Sequence, residues 1–559
     1  MASNTGALTL ALTGALPMML IVSAILALVV SLILLRRYRR AVAASMRTSV
    51  DHMRPEEFPL ETAPLPVQTK LEIMAMNGAA PNAPSAAAAA AYNEVMAASR
   101  RAARVYTLAG ICFALLMAAA FLAADQRAFI PIQFVYLFWI FAWPLAPTIY
   151  LLLAATRHVT LMIVAAYFLA LALISSVAIA RNPEFTWTQA LVPWLVYNLP
   201  ATLLLSAFLN RKIRAVGPLV MTFTLIVIAG AFLTTAILYH NDPLLKWVIA
   251  LGAEIALSGD GLIITILVSG TVLFTPLGWL VFRVIKKRYA RKKISDQSLT
   301  LDTIWLWFGI AYSIYLAFAA PAWFLSGPAA FFLYKIITTT GFALLRRALP
   351  QARKLLLLRV FSLGKRSEQL FDVLGARWRS LGSIQMIAGP DLATTNIEPH
   401  EFMDFLSGKL ARRFITAEAA LVQRLAETDF TPDHDRRFRV NEFFCYRDTW
   451  KMTLTRLVQE NHAVLMDLRG FSPRQSGCIF EINELINAVP LQRVLFVIDD
   501  TTDEPFLRQT AQKAWQHMRS NSPNRLVDAQ RLRLFRLRGL RPREPAQLLR
   551  AVCAAAHPA

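Results

Sequence analysis

Residues 462–485 have the sequence HAVLMDLRGFSPRQSGCIFEINEL, and this stretch decides the fold class of the C-terminal part of the chain. The mostly apolar run HAVLMDL is followed by a polar loop and then by a segment with apolar residues at helical spacing. A short, nearly continuous apolar run that leads into a helix is typical of a strand buried on both faces of a sheet. The stretch therefore predicts one strand–helix unit of a parallel α/β sheet.

The same alternation extends in both directions from this unit. Four further apolar runs predict strands, each followed by a helical pattern: 355–361, 383–388, 493–498 and 531–537. The long stretch between the second and third strands is predicted to be helical over 399–427 and 446–460. Residues 351–559 are therefore predicted to form a five-stranded parallel sheet of the flavodoxin-like type, covered by helices on both faces.

Upstream of residue 351 the apolar runs are long enough to cross a membrane. The chain has 559 residues, of which 56% are hydrophobic and 17% charged, whereas soluble domains average about 25% charged residues. The run over 8–35 stops at the cluster RRYRR rather than at a cleavage site, which predicts a retained membrane helix. Eight further runs have the length of a bilayer crossing: 105–124, 129–155, 160–180, 189–209, 216–238, 261–285, 303–324 and 328–345.

The fold class that follows is a multi-pass α-helical membrane bundle of about nine spans with a C-terminal cytoplasmic α/β domain. Four segments are predicted: a first transmembrane helix (1–35), a linker and juxtamembrane helix (36–104), an eight-helix transmembrane region (105–350) and the α/β domain (351–559). The middle of the linker contains Pro55, Pro59, Pro64 and Pro66, which disfavour regular structure there.

Basic residues mark alternate loops, and this pattern predicts the orientation. Dense cationic clusters follow every second predicted span, as at 36–40 and 286–293. Because cytoplasmic loops carry the excess of Lys and Arg, we expect the N-terminus outside and the α/β domain inside a bacterial inner (plasma) membrane. The formal charge is +22, but residues 351–559, with 31 Lys and Arg against 23 Asp and Glu, contribute only +8 of it. Most of the positive charge therefore indicates which loops face the cytoplasm. We expect no nucleic-acid partner.

Lys335 lies in the middle of the ninth predicted span. An ionisable residue at this depth marks an ion path or pairs with a carboxylate, for which Glu254 is one candidate. Lys335 could equally donate a hydrogen bond to a carbonyl or a water within the helix bundle, or extend its amine to the membrane–water interface.

Ligands of doubly wound sheets bind at the carboxyl ends of the strands. The predicted nucleotide-binding residues there are Ser362, Gly364 and Lys365 after the first strand, Gly389 and Asp391 after the second, and Ser476 at the helix after the third. Arg469, Ser472, Asp499 and Asp500 also follow predicted strands. The loop FSLGKRS (361–367) offers backbone N–H groups and two cations to an anion, although it lacks the spacing of a Walker loop and could be a plain connection.

No metal site is expected. Asp499 and Asp500 continue into Asp503 and Glu504 as an acidic turn at a helix start, and the first predicted strand ends in Ser362 rather than in an acidic partner. The four cysteines lie far apart, with no CxxC pair, which excludes a disulfide scaffold and a recognisable zinc site.

The stretch 462–485 resembles the Toll/interleukin-1 receptor (TIR) family, whose third strand is followed by a serine-containing loop and a helix with a Cys-x-x-Glu-Leu pattern. Cys478, Glu481 and Ile482 match this spacing, and Val360 to Ser362 is similar to the first-strand signature of the family. The resemblance covers about 355–556. Gly477 stands where the family usually has Trp, and the Tyr after the first-strand Ser is missing.

Membership of this family would imply two activities. TIR domains self-associate as adaptors, and many bacterial and plant members cleave NAD at the nicotinamide–ribose bond. The matched Glu481 would then be the catalytic carboxylate that steadies positive charge on the ribose, with Glu484 one turn further on as the alternative. NAD is expected as a substrate and no cofactor is expected. A lone Glu near a helix start is otherwise a partner of the helix dipole.

Further partners are predicted from the distribution of charge. The arginines of the linker are expected to contact the anionic headgroups of the lipid bilayer. A basic run around the last strand, Arg531 to Arg543, predicts contact with lipid or an acidic partner, or else a charged edge strand that prevents aggregation.

The sequence thus predicts an integral membrane signalling or defence protein. An event at the membrane would change self-association of the α/β domain into homo-oligomers, and this would recruit partners or switch on cleavage of a nucleotide. Two alternatives are a transporter or channel with a regulatory α/β domain and a non-catalytic membrane scaffold.

Overall fold

The computed structural model describes residues 25–45, 71–76, 85–125, 129–153, 157–182, 184–208, 213, 216–345, 352–360, 365–388, 399–428, 430–446, 448–526, 530–539 and 543–558. The chain divides into two compact units. The helical unit comprises Met1–Arg37 and Ala102–Arg346, and the α/β unit comprises Tyr38–Arg101 and Arg347–Ala559.

Helices make up the described part of the first unit. In chain order they are α1 (25–45, continuing into the second unit), α2 (Ala86–Asp125, beginning in the second unit), α3 (Pro131–Phe141), α4 (Leu145–Leu153), α5 (Arg157–Arg181), α6 (Trp187–Tyr197), α7 (Leu199–Phe208), α8 (Gly217–Tyr239), α9 (Asp242–Glu254), α10 (Gly259–Ala290), α11 (Asp296–Ala317) and α12 (Ser326–Leu344). A short 3-10 helix, Pro321–Leu325, precedes α12.

Five of the described helices are long and apolar enough to cross a membrane, namely α2, α5, α8, α10 and α11, and α3 with α4 makes a sixth if this pair, bent by 41°, is one span. The nine predicted spans are therefore not confirmed. The run 189–209 is interrupted at Asn198, between α6 and α7. Most of the first run, 8–35, lies outside the described residues. α12, which carries Lys335, is a helix of 19 residues but is not among the five.

The α/β unit is built on one sheet of eight parallel strands in its described part. The strands are β1 (Leu71–Met76), β2 (Arg353–Arg359), β3 (Gly382–Ala388), β4 (Phe414–Ile415), β5 (Val440–Cys445), β6 (Ala463–Asp467), β7 (Val494–Ile498) and β8 (Gln530–Arg536). The helices are α13 (Lys365–Trp378), α14 (Pro399–Leu406), α15 (Glu418–Glu427), α16 (Trp450–Glu460), α17 (Ser476–Ala488), α18 (Glu504–Gln516) and α19 (Arg543–Ala556).

The strand order is β1-β8-β7-β6-β2-β3-β5-β4. All five predicted strands are present as β2, β3, β6, β7 and β8, and they occupy the centre in the order that flavodoxin-like sheets have. The prediction of a five-stranded sheet is nevertheless wrong, because β1 extends one edge and β5 with β4 extends the other. Strands β2, β6 and β7 are almost wholly buried, which explains their continuous apolar runs.

The region between β3 and β6 differs most from the predicted helices. The single helix predicted over 399–427 is interrupted after α14 at Gly408, whose φ of 69° ends the helix. The chain then makes the two-residue strand β4 before α15. Near α14, Tyr38 of α1 is fully buried and its ring contacts Phe405 at 5.5 Å, edge to face. The region between β3 and β6 thereby packs against the Tyr38 end of α1, which the sequence assigns to the linker.

Strand β1 comes from the predicted linker and pairs with β8 over six residues, from Leu71 opposite Gln530 to Met76 opposite Phe535. Arg508 of α18 donates from Nη1 to the Ile73 carbonyl at 3.4 Å. Since β8 has a neighbour on each side, the interpretation of its arginines as protection of a free edge is wrong. Instead, Arg531 pairs with Glu72, and Arg536 pairs with Asp500 and Glu504.

We expect a disulfide to link β1 to β8 in the Glu72→Cys/Arg531→Cys double variant. These residues are register partners, the Arg531 Nε to Glu72 Oε2 distance is 3.1 Å, and both side chains are more than half exposed. Adjacent strands lie about 4.8 Å apart, within the Cα range of a disulfide. Mild oxidation of the full-length protein in its membrane, followed by peptide mass spectrometry, checks this. The Glu72→Cys/Arg536→Cys control should not cross-link, because Arg536 lies five positions, or about 16 Å, further along β8 than the register partner of Glu72. Equal cross-linking of both pairs would contradict the strand pairing.

Candidate functional site

The carboxyl ends of β2 and β6 mark the point where the strand order reverses. From β2 the chain goes to β3 on one side, whereas β6, β7 and β8 follow on the other side. A crevice opens at such a point in doubly wound sheets, and ligands bind there. Arg359, the last residue of β2, is the register partner of Asp467, the last residue of β6. Both side chains are buried.

Asp467 organises this edge of the sheet. Its Oδ2 accepts hydrogen bonds from Ser367 Oγ at 2.8 Å and from Arg469 Nη2 at 2.7 Å. Its Oδ1 accepts from Arg469 Nε at 2.8 Å. The carboxylate therefore binds the Arg469 guanidinium through both oxygens, and such a bidentate pair is strong and directional. The Asp467 side chain is fully buried and is satisfied by these donors.

Arg366, at the start of α13, joins this network to the loop after β7. Arg469 Nη2 donates to the Arg366 carbonyl at 2.9 Å. The Arg366 guanidinium pairs with Asp499 Oδ2, and Asp499 Oδ1 accepts from Thr501 N at 2.9 Å and Thr501 Oγ1 at 2.6 Å. Arg366 is 49% exposed, so its guanidinium is open to solvent on one side.

These six residues, Arg359, Arg366, Ser367, Asp467, Arg469 and Asp499, are named the switch-point cluster. Two of its guanidinium groups, those of Arg469 and Arg366, pair with the carboxylates of Asp467 and Asp499, and Arg359 lies beside Asp467 in the strand register. The planar donors of arginine match the oxygens of a phosphate or carboxylate, and Arg366 is the member that solvent reaches most easily. The arrangement is chemically suited to hold an anion at the mouth of the crevice.

The structure brings together two residues that the sequence placed at strand ends, Arg469 and Asp499. Ser362, Gly364, Gly389 and Asp391 lie outside the described residues. Lys365 begins α13, and its side chain also lies outside the described part. Ser476 is the first residue of α17 and is exposed.

Sequence reasoning missed the central carboxylate of the cluster. Asp467 is the acidic residue in the otherwise apolar run 463–468, and a charge at the end of a buried strand was the available signal. The roles of Arg366 and Ser367 were also missed, although both belong to the loop 361–367, which offers two cations to an anion.

Glu481 is buried in α17, with 3% of its surface exposed, and its Oε2 has no hydrogen-bond partner among the described residues. Burial raises the pKa of this carboxyl to about 8. Glu481 is consequently mostly neutral at pH 7. Within the described parts of the chain, no hydrogen bond or ion pair connects it to the switch-point cluster.

Glu484, the alternative carboxylate, has a different environment. It is also buried, but its Oε2 accepts from Arg519 Nη2 at 3.0 Å. Arg519 thereby gives the buried Glu484 carboxylate a charged hydrogen-bond partner, which Glu481 lacks among the described residues. Cys478, one turn before Glu481 and Ile482, is buried, and burial raises the pKa of its thiol.

Lys335 of α12 forms an ion pair with Asp302 of α11, with 2.7 Å between Nζ and Oδ2. The suggested pairing with Glu254 is therefore wrong, and Glu254 is exposed at the end of α9. The neighbouring Tyr334 ring stacks on Trp305, with 5.3 Å between ring centroids. Lys335 thus has a dedicated partner inside the helical unit.

A second polar centre lies where the broken helices meet. Asn198, between α6 and α7, is fully buried and donates from Nδ2 to the Ile140 carbonyl of α3 at 3.1 Å. Its Oδ1 accepts from the Tyr312 hydroxyl of α11 at 2.6 Å. Pro144 cannot supply the helical N–H that would normally reach Ile140, and the Asn198 amide fills this role. Asn198 thereby links the break between α6 and α7 to α3 and α11.

No group of three or more His, Cys, Asp or Glu side chains that could hold a metal occurs among the described residues.

Comparison with models of protein families, with curated proteins and with solved structures finds no match to this chain. No family or relative therefore supports the resemblance to the TIR family, which stays an expectation from residues 462–485 and 360–362 of the sequence.

Proposed function

We propose that the protein is an integral membrane signalling or defence protein whose α/β domain binds a phosphate-bearing ligand, such as a nucleotide, at the switch-point cluster. The observation that carries this proposal is the placement of Arg366 and Arg469 at the reversal of strand order. Asp467 fixes Arg469, whereas Arg366 keeps an open side. Arginines that are held in place lose little freedom on binding an anion.

Membrane topology supports this proposal independently of the basic loops. Strand β1 precedes the apolar helices from α2 onward and β2 follows them, yet both belong to one sheet. The chain must therefore cross the membrane an even number of times between β1 and β2. The eight crossings in the proposed nine-span topology satisfy this requirement, as do the six that the described helices allow if the bent pair is one span. The cationic clusters favour the cytoplasmic side of a bacterial inner membrane for the α/β domain.

Signalling would couple the membrane helices to the domain through several connections. The α/β unit begins at Tyr38 within α1, includes the first turns of α2 and resumes at Arg347. A change in the helices would thereby reach a domain that the chain enters more than once. Self-association of this domain, as the TIR resemblance implies, would turn such a change into a signal.

Cleavage of NAD is the enzymatic form of the proposal, with Glu481 as the catalytic carboxylate. Only an ionised Glu481 could stabilise positive charge on the ribose. Because burial raises its pKa to about 8, cleavage by this conformation would increase as the pH rises through that value.

A transporter or channel is the second candidate, since substrate sites of transporters form at discontinuous helices. The breaks near Asn198 and Pro144 favour it. The hydrogen bonds that Asn198 makes to Ile140 and Tyr312, and the pairing of Lys335 with Asp302, give these polar groups a packing role instead.

Binding of nucleotides to the full-length protein in detergent tests the proposal. We expect saturable binding of ATP or NAD by equilibrium dialysis, and we expect Arg366→Ala to weaken it about tenfold, since a hydrogen bond to a charged group contributes about 1.5 to 3 kcal/mol. Arg456→Ala removes another exposed, paired arginine and should leave the affinity unchanged. No binding at about 1 mM ligand, or equal affinities for the two variants, would contradict the proposal.

The same preparation tests the enzymatic form through release of nicotinamide. Release that rises between pH 7 and pH 9 and is lost in Glu481→Gln would support cleavage. Binding of NAD without release of nicotinamide would contradict catalysis by Glu481. The protein would then bind the nucleotide without cleaving it.

A further inference from the structure

We propose that the C-terminal end of α10 is a binding site for an anionic phospholipid of the bilayer. One face of α10 packs on α8, and Gly270 permits the close approach, because a Cβ there would lie 2.6 Å from Ala231 Cα. The opposite face is open over the length of the helix. Its large apolar side chains, including Ile264, Val268 and Val272, are each more than half exposed.

This exposed apolar face ends at an aromatic and cationic group. Trp279 is 50% exposed and stacks on Phe282, with ring centroids 5.6 Å apart. The Arg283 guanidinium lies over the Trp279 ring at 5.3 Å from its centroid. Tryptophan is enriched at the level of lipid headgroups, so the ring marks the depth at which the apolar face gives way to cations.

Cations continue beyond Trp279 on the same face of the helix. Trp279, Arg283 and Lys287 are successive i, i+4 positions, and Arg291 follows at the helix end. All four are exposed. The rise of 1.5 Å per residue sets Arg283 about 6 Å beyond Trp279, which is close to the thickness of the headgroup layer.

Acidic residues are absent from the sequence of α10 beyond its first turn. The sequence has no Asp or Glu between Asp260 and Asp296. In the described part of the chain, Arg283, Lys287 and Arg291 form no ion pair. An anionic headgroup would supply the missing negative charge, while its acyl chains would cover the exposed apolar face.

The cationic end is held in a fixed position. Tyr289 is buried, and its hydroxyl donates to Asp296 Oδ1 at the start of α11. Ser295 and Ser298 form a reciprocal capping box at the same helix start. The backbone that carries the cations is thereby fixed before a headgroup arrives, which lowers the entropic cost of binding.

This inference rests on the membrane location within the proposed function and is independent of the switch-point cluster. Native mass spectrometry of the full-length protein in detergent, titrated with phosphatidylglycerol, tests it. We expect tight binding of phosphatidylglycerol and at least tenfold weaker binding of phosphatidylcholine. The Arg283→Gln/Lys287→Gln/Arg291→Gln variant should lose at least tenfold in affinity for phosphatidylglycerol.

The matched control removes three exposed cations from the α/β unit, Arg412→Gln/Arg456→Gln/Lys513→Gln, and should bind like the original protein. Arg283→Lys/Arg291→Lys keeps the charge and should retain binding, which separates loss of the site from loss of the fold. Competition by inorganic phosphate alone at equal concentration would indicate a free-anion site and would overturn the assignment to lipid. Equal affinities for the two lipids, or for the two triple variants, would also overturn it. ATP binding in the same samples reports separately on the switch-point cluster.

Discussion

At pH 9 the Glu481→Gln variant should be markedly more stable than the original protein in its α/β domain, and near pH 5 the two should be similar. Glu481 is buried without a hydrogen-bond partner for its Oε2, and burial raises its pKa from 4.5 to about 8. Between these values the unfolded chain releases a proton that the folded chain retains, so the stability of the folded state falls as the pH rises. The loss is complete above about pH 8.

The expected effect is large because one pKa unit corresponds to about 1.4 kcal/mol. Ionised Glu481 would cost the fold on the order of 5 kcal/mol, and glutamine, which cannot ionise, avoids this cost. Thermal unfolding of the full-length protein in detergent measures the difference in stability at each pH. Hydrogen exchange of the β6 and β7 amides assigns that difference to the α/β domain.

Glu427→Gln is the matched control, because Glu427 is exposed and its loss should produce no such pH-dependent gain. The same stability difference between Glu481→Gln and the original protein at pH 5 and pH 9 would contradict the buried, neutral state of Glu481.

Lys335→Met alone should destabilise the helical unit by up to about 3 kcal/mol, because it leaves Asp302 without its partner in an ion pair whose side chains are only 17% and 13% exposed. Asp302 would lose the Nζ donor at 2.7 Å, and its Oδ1 is already buried without a hydrogen bond in the described part of the chain. Thermal unfolding in detergent and the yield of folded protein measure the loss. Asp302→Asn alone should have a smaller effect in the same direction, since it leaves a lysine that can extend toward water.

The double variant Lys335→Met/Asp302→Leu separates a packing role from a transport role. Replacing a buried pair by apolar residues of similar volume is often neutral, so stability should return to near the original value. Lys246→Met, at an exposed site in α9, is the control for loss of a lysine. A double variant that is as unstable as Lys335→Met would show that the pair does not act as a unit.

Much of the fold follows from local hydrophobic pattern. Each of the five predicted strands appears within about two residues of its expected bounds, because β2, β6 and β7 are buried on both faces and must be continuously apolar. Strands β4 and β5 escaped prediction for the opposite reason. β4 has two residues, and the polar Asn441 and Glu442 interrupt β5.

The candidate site was predicted only in outline. Strand ends indicated where Arg469 and Asp499 would lie, since the carboxyl ends of parallel strands meet at one edge. Their connection through Asp467 and Arg366 depends on which strands are neighbours, and local spacing does not contain that information.

The sequence by itself determined that long apolar helices precede a parallel α/β domain, because hydrophobic length and period are properties of neighbouring residues. Only the tertiary structure decided that β1 joins the sheet beside β8, that Asp302 is the partner of Lys335, and that Glu481 is buried without a charge partner. Each of these results depends on contacts between distant parts of the chain, such as Glu72 with Arg531. Strand pairing, charge pairing and the cost of burial are set by the folded neighbours of a residue, which composition and spacing do not specify.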